Sequence, residues 1–414
     1  MSTATERRAR MMTSRDMIAQ YHRYVMDTYV RNPLVLVKGK GSRVWDLEGR
    51  EYLDLFPGWG VGALGHCHPW VSKALRGQLT RLLHVPNNYY HVSQWRLAKA
   101  LVDATFDGVV FFANSGAEMV EAAIKLVRKW GNTVSSGEEL RREIIVMERS
   151  FHGRTTGALS ATGQSKYQEG FEPLLPAFVC VPFNDLEALT RAITPRTVAI
   201  LLEPIQGEGG IRVASESFLR GVRHLADTHR LLVIYDEIQT GMGRTGKLFA
   251  YQHTGIEPDV LLLAKSLGGG FPIGAMVVKR ALASVLTPGT HASTFGGSPL
   301  ACASGLAVFE AIRKQGLLAR AEAFGRLLRE RLEAMKTRLP VIRDVRGLGL
   351  MIGLELTMDG RPVVELCRRH GLLINCTQGT VLRLLPAMTI TRAQIDRALT
   401  ILEDSLRSVA NDHQ

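Results

Sequence analysis

The chain has 414 residues, 46% hydrophobic and 22% charged, values of a soluble globular protein that exclude fibrous and low-complexity classes. Its formal charge of +12 raises the question of a nucleic-acid partner. The basic residues are dispersed, however, apart from patches at the N-terminus, Arg141-Arg142 and Arg368-Arg369, and no aromatic-basic motif accompanies them. Solvated faces and a pull on anionic metabolites account for the charge better.

The opening MSTATERRARMMTSRD is Arg-rich but short and lacks an apolar segment, so it reads as a frayed cytoplasmic terminus, an organellar address being the alternative. No apolar run approaches the roughly 20 residues of a membrane span. VWDLEGREYLDL alternates apolar positions and predicts a hairpin around Glu48-Gly49. Five scattered cysteines without CxxC spacing read as reduced thiols. His66-Cys67-His68 reads as a turn rather than a metal site, because no second ligand cluster accompanies it.

From about residue 70 to 300, short apolar runs alternate with helical stretches, the pattern of an α/β protein with a wound, mostly parallel central sheet. VVFF (109–112), IIVM (144–147), VAILLE (198–203), LLVIYD (231–236) and VLLLA (260–264) read as buried strands. Ligands collect at the carboxyl ends of such strands. After VVFF comes Asn114-Ser115-Gly116-Ala117-Glu118, then a helix with Val120, Ile124 and Val127 on one face and Gly131 at its end. A Ser-Gly turn opening a helix is either a phosphate seat or a simple cap. After IIVM, Phe151 and Arg154 offer a flat ring and a carboxylate-binding fork, or a core Phe and a surface Arg. Glu203 leads into PIQGEGG, whose glycines let Gln206 and Glu208 approach a ligand.

Asp236 ends LLVIYD and is followed by Glu237-Ile238-Gln239. A buried acid there needs a cationic partner, such as a protonated ring nitrogen, unless it caps the next loop. Lys265 follows VLLLA and precedes Gly268-Gly269-Gly270; such a lysine either loses its proton and attacks a carbonyl or snorkels from the strand end. Five strand ends thus carry chemistry together. From about Ser304 follow helical segments, the strands VRGLGLMIGLEL and VLRLLPAMTI, and a closing helix from Thr391. The expected division is 1–65 joining the smaller domain, 66–303 as the large domain and 304–414 as the rest of a small α+β domain.

The blocks NSGAE, SFHGRTTGALSATGQSKYQEGF, EPIQGEGG, DEIQTGMGRTGK, LLAKSLGGGFPIGA and HASTFGGSPLAC resemble the signatures of class III aminotransferases of fold type I, and most nearly the branch acting on N-acetylornithine. That resemblance implies pyridoxal 5'-phosphate held by Lys265, which also moves the substrate proton. It implies Asp236 at the ring nitrogen, with Glu237, Ile238 and Gln239 beside it, Phe151 stacked on the ring, and Ser115, Gly116 and Ala117 at the phosphate. Thr294 would reach the neighbouring subunit's phosphate, making a homodimer with its active site at the interface. Arg154, Ser293 and Arg383 would contact substrate, with Glu208 masking Arg383 while the first donor is bound. The implied substrates are N-acetylornithine and 2-oxoglutarate or glutamate; no metal, nucleic acid or membrane is expected. Two positions depart from the pattern: Trp59 replaces a smaller residue or tyrosine, and Ser298 replaces asparagine.

Overall fold

Hydrophobic alternation near the N-terminus produces strands β1 (Leu36–Lys40), β2 (Arg43–Asp46) and β3 (Glu51–Asp54) in the computed structural model, which describes residues 12–135 and 140–412. The expected β2–β3 hairpin forms, and Gly49 takes φ +84° to close it, donating to the Asp46 carbonyl at 3.0 Å.

The next strands are β4 (Gly108–Ala113), β5 (Glu143–Met147), β6 (Phe178–Val181), β7 (Thr197–Leu202), the short hairpin β8 (Ile205–Gln206) and β9 (Arg212–Val213), then β10 (Leu232–Asp236), β11 (Val260–Leu263) and β12 (Gly274–Lys279). Seven of them form one sheet in the order β4-β12-β11-β10-β7-β5-β6. Every residue of β7, β10 and β11 is buried, because helices cover both faces. Successive side chains enter opposite cores: Ile200, Val233 and Leu261 pack with Phe218 and Val222, whereas Ala199, Ile234 and Leu262 pack with Val120, Ile124 and Val127.

All five strands expected in this sheet are present, and β6 and β12 are additional to them; in the C-terminal part VRGLGLMIGLEL is divided between two strands, and VLRLLPAMTI is a strand only over Val381–Leu384. β12 runs antiparallel to both β11 and β4. Residues 264–273 between β11 and β12 hold only a single helical turn, too short for the crossover that a parallel return requires. The helix opened by Ser115 runs Gly116–Val134, so Gly131 does not end it as expected. A Cβ on Gly131 would lie 1.9 Å from the Arg141 carbonyl, so the glycine permits a close backbone approach instead.

The C-terminal part supplies β13 (Ile342–Leu348), β14 (Met351–Leu356), β15 (Leu372–Leu373), β16 (Asn375–Thr377) and β17 (Val381–Leu384), and the closing helix Arg392–Asp412. β13, β14, β17 and β16 make an antiparallel sheet, while β15 pairs with β3, joining the two ends of the chain. Arg244, from the glycine-rich segment after β10, is fully buried and donates to the carbonyls of Gly60, Leu350 and Pro386. One guanidinium therefore ties the central sheet to both terminal parts. Among the described residues no helix is long and apolar enough to cross a membrane.

Candidate active site

A cavity of about 490 Å³ opens at the carboxyl ends of β4, β7, β10 and β11, lined by Ser115–Ala117, Phe151–Arg154, Glu203, Glu208, Asp236, Ile238, Gln239, Lys265 and residues 270–273. Lys265 emerges directly after the buried β11 with φ +43°, a left-handed conformation that costs a non-glycine residue about 1 kcal/mol or more. Burial pushes its ammonium pKa down; the Glu208 and Asp236 carboxylates oppose this, Arg383 adds to it, and Glu203 opposes it further.

Asp236, at the end of β10, is 4% exposed. One oxygen accepts the Ile238 N–H at 3.1 Å, and the other lies 2.8 Å from Nδ1 of the buried His152. His152 Nε2 is buried without a hydrogen-bond partner among the described residues. Glu203 accepts the N–H of Phe151 and the N–H of Gly207, each at 3.0 Å, so one carboxylate clips together the loops after β5 and β7. Burial raises its pKa to about 7, with His152 opposing and Asp236 adding to the rise.

Ser115 caps the helix that follows β4: its Oγ accepts the Glu118 N–H at 3.3 Å. Glu118 in turn holds the Asn114 N–H at 2.9 Å and its amide at 3.0 Å. The N–H groups of Gly116 and Ala117 precede the first intrahelical bond, made by Met119 to the Ser115 carbonyl, and remain for a ligand. A Cβ on Gly116 would come within 2.9 Å of Ile238, so only glycine leaves this seat open.

Arg383, on β17, has a fully buried side chain and meets Glu208 Oε1 at 2.6 Å. It also donates to Asn375 Oδ1 at 2.9 Å and to the Gly207 carbonyl at 3.0 Å, and lies over the Phe56 ring. Arg154 stacks on Tyr167, 3.9 Å from the ring centroid, with no carboxylate partner among the described residues. Gln239 donates to the Trp59 carbonyl at 3.1 Å, while its Oε1 is buried without a partner among the described residues.

Not every expected residue faces the cavity. Glu237 turns to the opposite side, where its carboxylate accepts from Ala250 N at 2.6 Å, Tyr251 N at 2.8 Å and Thr240 Oγ1 at 3.0 Å. The reason is strand alternation: the residue after Asp236 points away from it. Gln206 is likewise buried elsewhere, donating to the Glu148 carbonyl at 2.8 Å. Ser293 lies outside the lining and receives the Asn114 amide at 3.3 Å, and Thr294 is exposed. Ser298 caps helix Pro299–Lys314, with Oγ 3.4 Å from Ala301 N. His152 was not anticipated, because a histidine between Phe151 and Gly153 carries no periodic signal; only its place beside a strand end could have suggested it.

The family model for class III aminotransferases matches residues 24–406. The chain belongs to that family. An acetylornithine aminotransferase of Caldanaerobacter subterraneus subsp. tengcongensis is 50% identical over 95% of this chain and 100% of the relative, and one of Methanocaldococcus jannaschii is 47% identical over 95% and 98%. Among solved structures, the ornithine aminotransferase of Toxoplasma gondii ME49 superposes with a TM-score of 0.95 at 34% identity, covering 100% of both chains. The acetylornithine aminotransferase of Elizabethkingia anophelis does so at 0.85 and 32%, covering 96% of this chain and 100% of that one. The fold is thus the family's own, a class III transaminase with a seven-stranded, mostly parallel sheet.

Proposed function

We propose that this transaminase moves the terminal amino group of N-acetylornithine to 2-oxoglutarate by a ping-pong cycle in the cytoplasm, serving arginine biosynthesis, with pyridoxal phosphate bound in the cavity. The residues present fit that cofactor. A helix N-terminus with two spare N–H groups and no Cβ at Gly116 suits a phosphate, and Asp236, buried and fixed by His152, suits a protonated ring nitrogen. When bound, the cofactor supplies a carbonyl for amines and a ring that accepts the electron pair released at the substrate carbon.

The chain's own groups do the rest. Lys265, its pKa lowered by burial, is basic enough to take the proton from the substrate carbon and return it. Phe151 covers the ring face, and Arg154, with no carboxylate partner among the described residues, takes the substrate carboxylate. Ile238 and Gln239 bound the ring, and Ser115 and Ala117 complete the phosphate seat. The observation that carries the donor assignment is the Arg383–Glu208 pair at 2.6 Å, in which Arg383 lies buried behind Glu208 and Glu208 lines the cavity that also holds Arg154. N-acetylornithine offers one carboxylate and leaves Arg383 covered by Glu208; glutamate offers two and displaces Glu208.

Thr294 and its neighbour Ser293 belong to a second part of the reading, a homodimer in which Thr294 reaches the other subunit's phosphate. Supporting it, Thr294 is exposed beside Phe295, which contacts His84, and Leu79, Leu82, Leu83, Tyr89, Tyr90, Val92 and Trp95 expose apolar surface in the adjoining segment. Residues 1–65 and 304–414 would form the smaller α+β domain against 66–303, a division supported by the pairing of β3 with β15. Ornithine as donor is the second reading, favoured by the likeness to the Toxoplasma structure. Steady-state rates with N-acetylornithine, ornithine, γ-aminobutyrate, succinylornithine and succinyldiaminopimelate against 2-oxoglutarate test the assignment. N-acetylornithine should have the highest kcat/KM, and preference for free ornithine would overturn it. Turnover of glutamate semialdehyde without 2-oxoglutarate would indicate an aminomutase instead.

A further inference from the structure

We propose a second anion site, independent of the transamination chemistry: a cleft of about 310 Å³ lined by Lys125, Arg128, Lys129 and Arg142 that binds a phosphoryl dianion. Lys125, Arg128, Lys129 and the amide of Asn132 recur at three- and four-residue spacing and share one face of helix Gly116–Val134. Arg142 faces them from just before the amino end of β5, and Leu286 and Thr290 close the wall. At 1.5 Å per residue, Lys125 and Lys129 stand about 14 to 20 Å along the helix from Gly116. The cleft is therefore toward the amino ends of the strands, away from the carboxyl ends that carry Lys265.

Four cations and no carboxylate line this space, and among the described residues none of the four forms an ion pair. Glu121, the nearest acid on the helix, is already committed to the N–H groups of Gly157 and Ala158 and to Thr155. The helix dipole does not explain the cluster, since its effect is confined to the last turn and that turn contains no basic residue. Lys125 and Lys129 are a like-charged i,i+4 pair, which costs a helix stability unless something offsets it. Arg128 is held by the Pro176 carbonyl and the Phe178 ring, yet its Nε is buried without a partner among the described residues. Lys125 meets the Thr290 carbonyl and His291 Nδ1, each at 2.9 Å, Lys129 donates to Thr287 Oγ1 at 3.4 Å and Arg142 to Asn132 Oδ1 at 3.5 Å, and all four cations line the cleft. A monocarboxylate would offset one charge of four, whereas a phosphoryl group offsets two and matches the guanidinium fork. Glu138 and Glu139, the acids nearest Arg142 in sequence, lie outside the described residues.

Calorimetric titration of the cofactor-loaded protein with inorganic phosphate and with phenyl phosphate, at ionic strength fixed with chloride, tests the proposal. Loading keeps phosphate out of the cofactor's own seat. One saturable site per chain is expected, weakened about tenfold or more by Arg142→Gln and by Lys129→Gln and unchanged by Arg191→Gln, an exposed arginine outside both cavities. Arg128→Gln should weaken it as much, but that variant also loses the Pro176 contact, so the two more exposed variants carry the decision. Tighter binding of phenyl phosphate would assign a phosphorylated metabolite packed on Leu286; equal binding would assign the free ion. No saturable heat beyond the chloride control, as would follow if Glu138 and Glu139 already filled the cleft, overturns the proposal. Equal affinity in wild type, Arg142→Gln and Lys129→Gln does so as well.

Discussion

Asp236 holds a carboxylate in a site almost closed to water, where an uncompensated charge is costly. One backbone N–H and the His152 ring stabilise it, and a cationic ring nitrogen would complete its environment. Asp236→Asn keeps the shape and removes the charge. The half-reaction with amino donor should slow by on the order of 10²–10³, while cofactor affinity, set also by the phosphate seat, falls much less. Near-normal single-turnover rates would remove Asp236 from that role. Its neighbour Glu237 gives a stability signal instead. Burial raises the Glu237 pKa to about 7, with its three hydrogen bonds opposing the rise and Asp236 adding to it. A carboxyl whose folded pKa is raised stabilises the fold fully below its unfolded pKa, and that contribution is lost as pH rises through about 7. The loss amounts to about 3 kcal/mol for a rise from 4.5 to about 7. Urea midpoints at pH 5 and pH 8, with cofactor saturation held constant, should therefore differ more in wild type than in Glu237→Gln. Equal slopes in the two would show that Glu237 does not titrate in this range.

At the level of elements, the buried strands were legible because unbroken apolar runs of four or five residues, repeated between helical stretches, are the mark of buried strands in an alternating pattern. VVFF, IIVM, VAILL, LLVIY and VLLL each became a strand of the central sheet, and the chemistry-bearing residues Ser115, Phe151, Asp236 and Lys265 followed from their ends. Less legible were features set by tertiary contact. The direction of β12 depends on the length of its connection, and the outward turn of Glu237 depends on the pleat at the end of β10. Gly131 illustrates the limit. A glycine late in an amphipathic helix resembles a C-cap, yet the helix continues to Val134, and what requires glycine is the Arg141 backbone passing against it. Gly131→Ala tests the difference. A helix-end glycine at positive φ would tolerate alanine at a cost near 1 kcal/mol. A Cβ 1.9 Å from a backbone carbonyl cannot be accommodated by a rotamer change, so the substitution should cost about 1–3 kcal/mol or more by chemical denaturation. A stabilised variant, as helix propensity alone would give, contradicts the close approach.

The molecule as a whole brings its two sheets together at one ion pair. Arg383 comes from β17 of the C-terminal sheet and Glu208 from the turn of the β8–β9 hairpin that follows β7, so the pair forms only when both parts are docked. The guanidinium is completely buried, and Asn375 and the Gly207 carbonyl fix its position whether or not Glu208 is present. Such a charge tolerates removal of its counter-ion only if another anion replaces it. Burial raises the Glu208 pKa, but the Arg383 charge and hydrogen bond outweigh it, so the carboxylate stays ionised and available as that counter-ion. A glutamate or 2-oxoglutarate carboxylate would take over the role, and the aliphatic part of N-acetylornithine would not. Arg383→Ala should then impair the glutamate half-reaction by the equivalent of about 2–5 kcal/mol, the usual effect of losing a buried charged contact. N-acetylornithine, which on the proposed reading has no carboxylate for Arg383, should lose far less, whereas Arg154→Ala should harm both donors. Rapid-mixing measurements of each half-reaction separate these outcomes. Equal losses for both donors in Arg383→Ala would mean that the pair holds the two sheets in register without discriminating substrates. In that case Glu208→Gln, which keeps a hydrogen bond but not the charge, should also slow both half-reactions equally.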